Sequence, residues 1–161
     1  MVELKEGEEM MEDDQRRVVL VVNKTIGLGP AMNAAAHAAL GFGASRELAD
    51  RLELNLLDYM DGSGGIHPHI SALSLVVLQA RPAQLQKLRD CAMAEGLPCV
   101  SFTDTMTKGT YLDQLERTRR TLPDQLVYYA VLVLGTRLQL DPLTRRFSLF
   151  GVQKDPAAML S

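Results

Sequence analysis

Apolar residues in this chain form four short runs. Segments long enough to form a helix lie between them. The runs predict strands over residues 17–23, 73–78, 99–103 and 126–134, with a short edge strand over 147–152. The first run, centred on 18–22, is β-branched and shows no polar alternation. Such a run is typical of a strand that is covered on both faces, and five residues are too few for a helix. The pattern therefore predicts a sheet with a layer of helices on each side.

The segments between these strands carry helical signals. Helices are predicted over 30–42, 45–52, 82–95 and 111–121, and Gly96 and Pro123 end the last two. Residues 61–65 form a glycine-rich turn, 53–60 are irregular or weakly extended, and 141–144 are a turn or a single helical turn. Strands that alternate with helices predict an α/β domain over 16–152, between tails at 1–15 and 153–161.

Charge divides the chain into an acidic start and a mildly basic body. Of 20 acidic and 17 basic side chains, seven acids and one base lie in residues 1–14, so the remainder carries a net charge of +3. A disordered, solubilising extension is the ordinary interpretation, and a tail that shields a basic groove is the alternative. No apolar run reaches the ~20 residues of a membrane span, and no signal peptide is evident. Two free thiols, Cys91 and Cys99, fit a cytoplasmic protein.

The first predicted helix is mostly alanine, and only Asn33 and His37 bring polar chemistry to it. These residues are four apart, so they share a face of the helix. Gly27 and Gly29 form the turn before it, and Pro30 suits a first helical turn. We expect a reactive site near this turn.

Several motifs resemble type II peptidyl-tRNA hydrolases. Gly29-Pro-Ala-Met-Asn-Ala-Ala-Ala-His-Ala38 is similar to the Gly-Lys-x-Ala-Ala-Gln-x-x-His-Ala helix of that family. The segment 95–104 and the ending around 133–144 resemble its later strands and closing turn. The chain is more similar still to an uncharacterised, domain-of-unknown-function branch, which has Asp-Gly-x-x-His-Pro before the second strand. The resemblance implies a four-stranded mixed sheet with helices on both faces, and it implies a homodimer.

The resemblance also implies site residues. His37 stands at the helix histidine of the family and Asp104 at its loop aspartate, so we expect them to form the catalytic pair. The lysine of the family falls on Pro30, which has neither charge nor a donor N–H. Substitutes for substrate binding are Asn33, Lys24, Thr105 and Lys108.

Each of these interpretations has a plainer alternative. A histidine oriented by a carboxylate is a general base near neutral pH, whereas His37 alone fits a core histidine that binds a backbone carbonyl. His67 and His69 would complete a set of three histidines, but no cysteine or carboxylate spacing supports a metal site, and solvent-facing loop histidines are favoured. Six arginines suggest a surface that contacts phosphates or, in the plainer interpretation, a solvated face. They are Arg117, Arg119, Arg120, Arg137, Arg145 and Arg146.

Two functions follow from the sequence. The first is a cytoplasmic hydrolase of an ester or amide such as peptidyl-tRNA, which acts through water activated near His37 and Asp104. The second is a non-catalytic domain that binds a ligand or partner after losing the lysine. The expected partner is tRNA or a small anionic ligand, and neither a cofactor nor a metal is expected.

Overall fold

A five-stranded mixed sheet forms the centre of the protein. The computed structural model describes residues 15–45 and 54–152. The strands are β1 (Arg16–Asn23), β2 (Leu56–Met60), β3 (Ile66–Ser71), β4 (Ser74–Ala80), β5 (Cys99–Thr103), β6 (Tyr128–Thr136) and β7 (Ser148–Leu149). The helices are α1 (Leu28–Gly43), α2 (Pro82–Ala94), α3 (Tyr111–Arg120) and α4 (Arg137–Thr144). None of these helices is long and apolar enough to cross a membrane.

The strands of the main sheet lie in the order β5-β6-β1-β4-β7. β1 and β4 are parallel, and β6 runs antiparallel to both β1 and β5. The mixed α/β sheet is confirmed, but the expected count of four strands is one too few. β7 adds the fifth through two residue pairs with β4, and it lies within the short edge strand predicted over 147–152, which the four-stranded sheet implied by the resemblance leaves out.

Helices cover both faces of this sheet. Alternate residues of β1 enter two separate cores. Val18, Leu20 and Val22 pack on the side that α1 covers, while Val19 and Val21 pack on the side that α2 covers. All five are at most 7 % exposed, so the prediction of a strand covered on both faces is confirmed.

A hairpin of β2 and β3 was not predicted. Among the described strands these two pair only with each other. The sequence predicts only irregular or weakly extended structure over 53–60 and no strand over 66–71, because the hairpin buries neither face and so has no alternation of apolar and polar positions. Asp61 begins the glycine-rich turn at its tip, as expected.

Two further boundaries differ from the sequence prediction. The predicted turn at 141–144 is the last turn of α4, which begins at Arg137 because the Thr136 hydroxyl caps it by accepting from the Gln139 N–H. The predicted helix over 45–52 and both tails lie almost wholly outside the described residues.

Candidate functional site

His37 lies exposed on α1 and its ring stacks on an aromatic neighbour. The alanines of α1 bring the helix close to the sheet, where the imidazole lies on the ring of Phe102 in β5. The two ring centroids are 5.2 Å apart and the planes differ by 24°. His37 is therefore a surface histidine on an aromatic platform rather than one buried in the core.

Asp104 follows β5 and is hydrogen-bonded to Val127, the residue directly before β6. Its N–H donates to the Val127 carbonyl at 2.9 Å, and its Oδ1 accepts from the Val127 N–H at 3.0 Å. Phe102 lies two residues before Asp104, so the structure brings His37 to the same end of β5. Across residues 15–45 and 54–152, however, neither a hydrogen bond nor an ion pair joins the imidazole to the carboxylate.

The loop after Asp104 is built by its own hydrogen bonds. Thr105 is buried, and its hydroxyl lies 2.8 Å from those of Thr103 and Thr118. Arg117 donates to the carbonyls of Thr105 and Lys108, which fixes the loop against α3. The Thr105 hydroxyl thus serves the fold, while Lys108 and Asn33 have exposed side chains.

Lys24 lies in a positively charged crevice. The crevice has a volume of about 460 Å³, and Lys24, Arg81 and Arg146 line it together with the polar Gln79, Gln84 and Ser148. The Lys24 N–H donates to the Ala80 carbonyl at 2.9 Å, which holds the residue at the carboxyl end of β4. No carboxylate belongs to this lining, so its three cations are not neutralised within it. We call it the basic crevice.

Topology explains why a crevice opens at this place. β1 and β4 are parallel neighbours, and Lys24 and Arg81 directly follow their carboxyl ends. The chain leaves β1 toward α1 on one face and leaves β4 toward α2 on the other. When the connections that follow two neighbouring parallel strands run to opposite faces of the sheet, a gap stays open beyond the ends of those strands. This gap is the usual ligand position in open α/β sheets.

The arginines that suggested a phosphate surface divide into two groups. Arg119 and Arg120 lie within ion-pair distance of Glu116, and Arg137 pairs with Asp141. Arg117 donates to loop carbonyls. These four stabilise local structure, as the plainer interpretation expects. Arg146 instead faces the basic crevice, and together with Arg145 it lines a neighbouring cavity.

A larger cavity lies at the other end of the strands, where β1 and β5 begin. It has a volume of about 580 Å³, and its lining includes Arg16, Glu95 and Cys99. Charges of both signs give it no preference for anions or cations. Burial raises the pKa of the Cys99 thiol to about 11, so this cysteine is protonated at neutral pH and a poor nucleophile. The larger volume of this cavity therefore says less about a possible ligand than the charge of the basic crevice does.

The comparisons with known proteins identify the family. Residues 16–150 match the family described as "Protein of unknown function (DUF2000)". The chain belongs to this family. The match spans nearly the whole DUF2000 domain as the structure describes it, including the basic crevice and both residues of the predicted catalytic pair. It confirms the resemblance to a domain-of-unknown-function family.

A solved structure has the same fold as this DUF2000 domain. It is the protein of unknown function Atu0240 from Agrobacterium tumefaciens strain C58, with a TM-score of 0.70 and 16 % identity. The similarity covers 85 % of this chain and 98 % of the other. A comparison with curated proteins returned no match.

Sequence reasoning found only part of the crevice. Lys24 was expected to bind substrate, and Arg146 belonged to the set for which phosphate contacts and a solvated face were both considered, but Arg81 was given no role. The available signal was the position of Lys24 directly after one predicted strand and of Arg81 three residues after the end of the next. Within the described ranges of the DUF2000 domain, no group of three histidine, cysteine or acidic residues comes together to hold a metal.

Proposed function

We propose that this DUF2000 domain binds a small ligand that carries a phosphate or diphosphate group. The observation that supports this most directly is the basic crevice, in which Lys24, Arg81 and Arg146 surround about 460 Å³ without a carboxylate in the lining. Its volume suits a small molecule, because ligand sites commonly enclose ~300–1,000 Å³. Hydrogen bonds from charged donors hold anions more strongly than neutral donors do.

The position of the crevice supports the same proposal. α2 begins at Pro82, so its N-terminus lies beside the three cations. Pro82 has no N–H, and the N–H groups of Gln84 and Leu85 donate to the Arg81 carbonyl, so the attraction comes from the helix dipole, which favours negative charge at that end. The helix adds to the attraction of the lysine and the two arginines. A second phosphate of the ligand, or a hydroxyl next to it, has the amides and hydroxyl of Gln79, Gln84 and Ser148 to bind.

A small ligand fits this surface better than a long nucleic acid does. Proteins that bind tRNA contact several phosphates along an extended basic surface. Here Arg119, Arg120 and Arg137 are already paired with acidic side chains of the same helices. The basic crevice is compact, and it shares Gln84 and Arg146 with one neighbouring cavity that Lys87 and Arg145 also line.

Pyrophosphate is a suitable probe of the basic crevice. We expect calorimetric titration at low salt to show binding that the double variant Lys24→Gln/Arg146→Gln weakens by about tenfold or more, since each lost charged hydrogen bond contributes ~1.5–3 kcal/mol. The control Arg119→Gln/Arg120→Gln removes the same charge from exposed positions of α3 and is expected to leave the affinity within about twofold. Equal weakening by both double variants, or no binding to the wild type at ~1 mM pyrophosphate, would overturn the proposal.

Hydrolysis of an ester or amide is the second candidate, and the stacked His37 is the observation that favours it. Turnover of peptidyl-tRNA by the wild type, and its loss in both His37→Ala and Asp104→Ala, would support this function and the implied tie to peptidyl-tRNA hydrolases. We place it second because the imidazole has no carboxylate partner among the described residues. The two candidates are separable, since pyrophosphate binding at the basic crevice does not depend on His37.

A further inference from the structure

Helix α1 carries no charged side chain along its 16 residues. Its polar residues are Asn33 and His37, and the rest are alanine, glycine, proline or larger apolar residues. Helix α3 shows the contrast, because half of its ten residues are charged and it lies on the surface. A helix that is apolar on all sides is normally buried on all sides.

Only one side of α1 is buried within the protein. Ala31, Ala34, Ala38 and Phe42 pack on the sheet. On the other side Leu28, Met32 and Leu40 are 68 %, 56 % and 72 % exposed. Residues four apart on a helix lie above one another, so these side chains form one stripe with Ala36 between them.

The hairpin of β2 and β3 exposes a second apolar surface. Six large apolar side chains on it are between 46 % and 72 % exposed: Leu56, Leu57, Tyr59, Met60, Ile66 and Ile70. Every residue of β2 is exposed, and an isolated two-stranded hairpin is at best marginally stable in water. Leu54 and Leu73, at its two ends, pack in the core that α1 covers, so the hairpin emerges on the same side of the sheet.

We propose that the stripe on α1 and the hairpin form the interface of a homodimer. Under a two-fold axis the same surface meets itself, and an apolar stripe without charges creates no repulsion when two copies meet. Together the stripe and the hairpin present on the order of 1,000 Å² of apolar side chain, and a stable interface takes ~800 Å² from each partner. The acidic residues 1–14 of the same chain find no cation on α1 to bind, so a second copy is the better occupant.

The mass in solution tests this proposal. Sedimentation equilibrium of the wild type at micromolar concentration should give twice the chain mass of 17.7 kDa. Met32→Glu/Leu40→Glu places two charges in the stripe and should raise the dissociation constant of the dimer by about a hundredfold or more. Ile66→Glu/Ile70→Glu should do the same from the hairpin.

The matched control is Leu112→Glu/Leu115→Glu, which adds the same charges to exposed apolar positions of α3. It should leave the dimer intact. All substituted side chains are exposed, and unchanged far-ultraviolet circular dichroism will show that each variant is folded. A monomeric wild type at ~100 µM would overturn the proposal, as would dimers that persist in both the helix and the hairpin variants.

Discussion

At the scale of single residues, the loop after β5 shows how burial changes the meaning of a side chain. The Thr118 hydroxyl donates to the Gln114 carbonyl, so its only proton is used. It must therefore accept from Thr105, which in turn accepts from Thr103, because each hydroxyl has one proton. The three hydroxyls form a directed chain that ends on α3. The sequence suggested Thr105 as a substrate-binding residue, since a pattern of residue types does not show that this hydroxyl is buried.

Thr105→Val tests this chain. Valine has nearly the shape of threonine but leaves two hydroxyls without their partner, one of them in the buried Thr103. An unsatisfied buried polar group costs ~1–3 kcal/mol, so we expect the free energy of unfolding to fall by about that amount in urea denaturation. Thr105→Ser retains the hydroxyl and should lose clearly less. Equal losses in the two variants would mean that packing of the methyl group, rather than the hydrogen bonds, stabilises the loop.

At the scale of elements, the tip of the hairpin is organised by one carboxylate. Asp61 Oδ1 accepts from the N–H and the hydroxyl of Ser63 and from the Gly65 N–H. These bonds favour the charged form, and they lower the pKa of Asp61 to about 2. A Cβ on Gly65 would lie 2.5 Å from Asp61 Oδ2, so glycine suits this position. The composition predicted the turn, and the structure adds the hydrogen bonds that close it.

The lowered pKa predicts how the turn responds to acid. Because the folded pKa is below the ordinary value of 3.8, the stabilisation of the turn is complete above about pH 4 and is lost as pH falls through about 2. The N–H signals of Ser63 and Gly65 in an NMR titration should shift with a midpoint near 2. Asp61→Asn should abolish this step while the amide oxygen preserves part of the cap. A midpoint near 4 would show that these bonds do not form in solution.

At the scale of the whole molecule, the two proposed surfaces lie apart. The basic crevice is beside α2, and the apolar stripe is on α1, across the sheet. Effects of changes at distant sites without shared partners usually add. We therefore expect Met32→Glu/Leu40→Glu to bind pyrophosphate within about twofold of the wild type, and Lys24→Gln/Arg146→Gln to remain dimeric. Titration calorimetry and sedimentation of the wild type and both double variants will measure both properties. Loss of both properties in one variant would indicate that dimerisation and ligand binding are coupled.

The sequence alone was enough to predict most of the architecture. Periodicity and residue type are local properties, so the buried strands at 18–22 and 99–103 and the helices after Pro82 and Tyr111 could be read directly. The hairpin was missed because an element that buries neither face leaves no alternating pattern. The short edge strand over 147–152 was predicted, but its partner in the sheet, β4, is known only from the structure.

Only the tertiary structure decided what the candidate site contains. His37 and Asp104 were linked through a family resemblance, but whether side chains far apart in sequence meet depends on the placement of strands and helices. The structure brings them to one end of β5 without a bond, whereas it gathers Lys24, Arg81 and Arg146 from three separate segments. Spacing along a chain carries no information about such convergence, because the order of strands in the sheet determines which strand ends are neighbours.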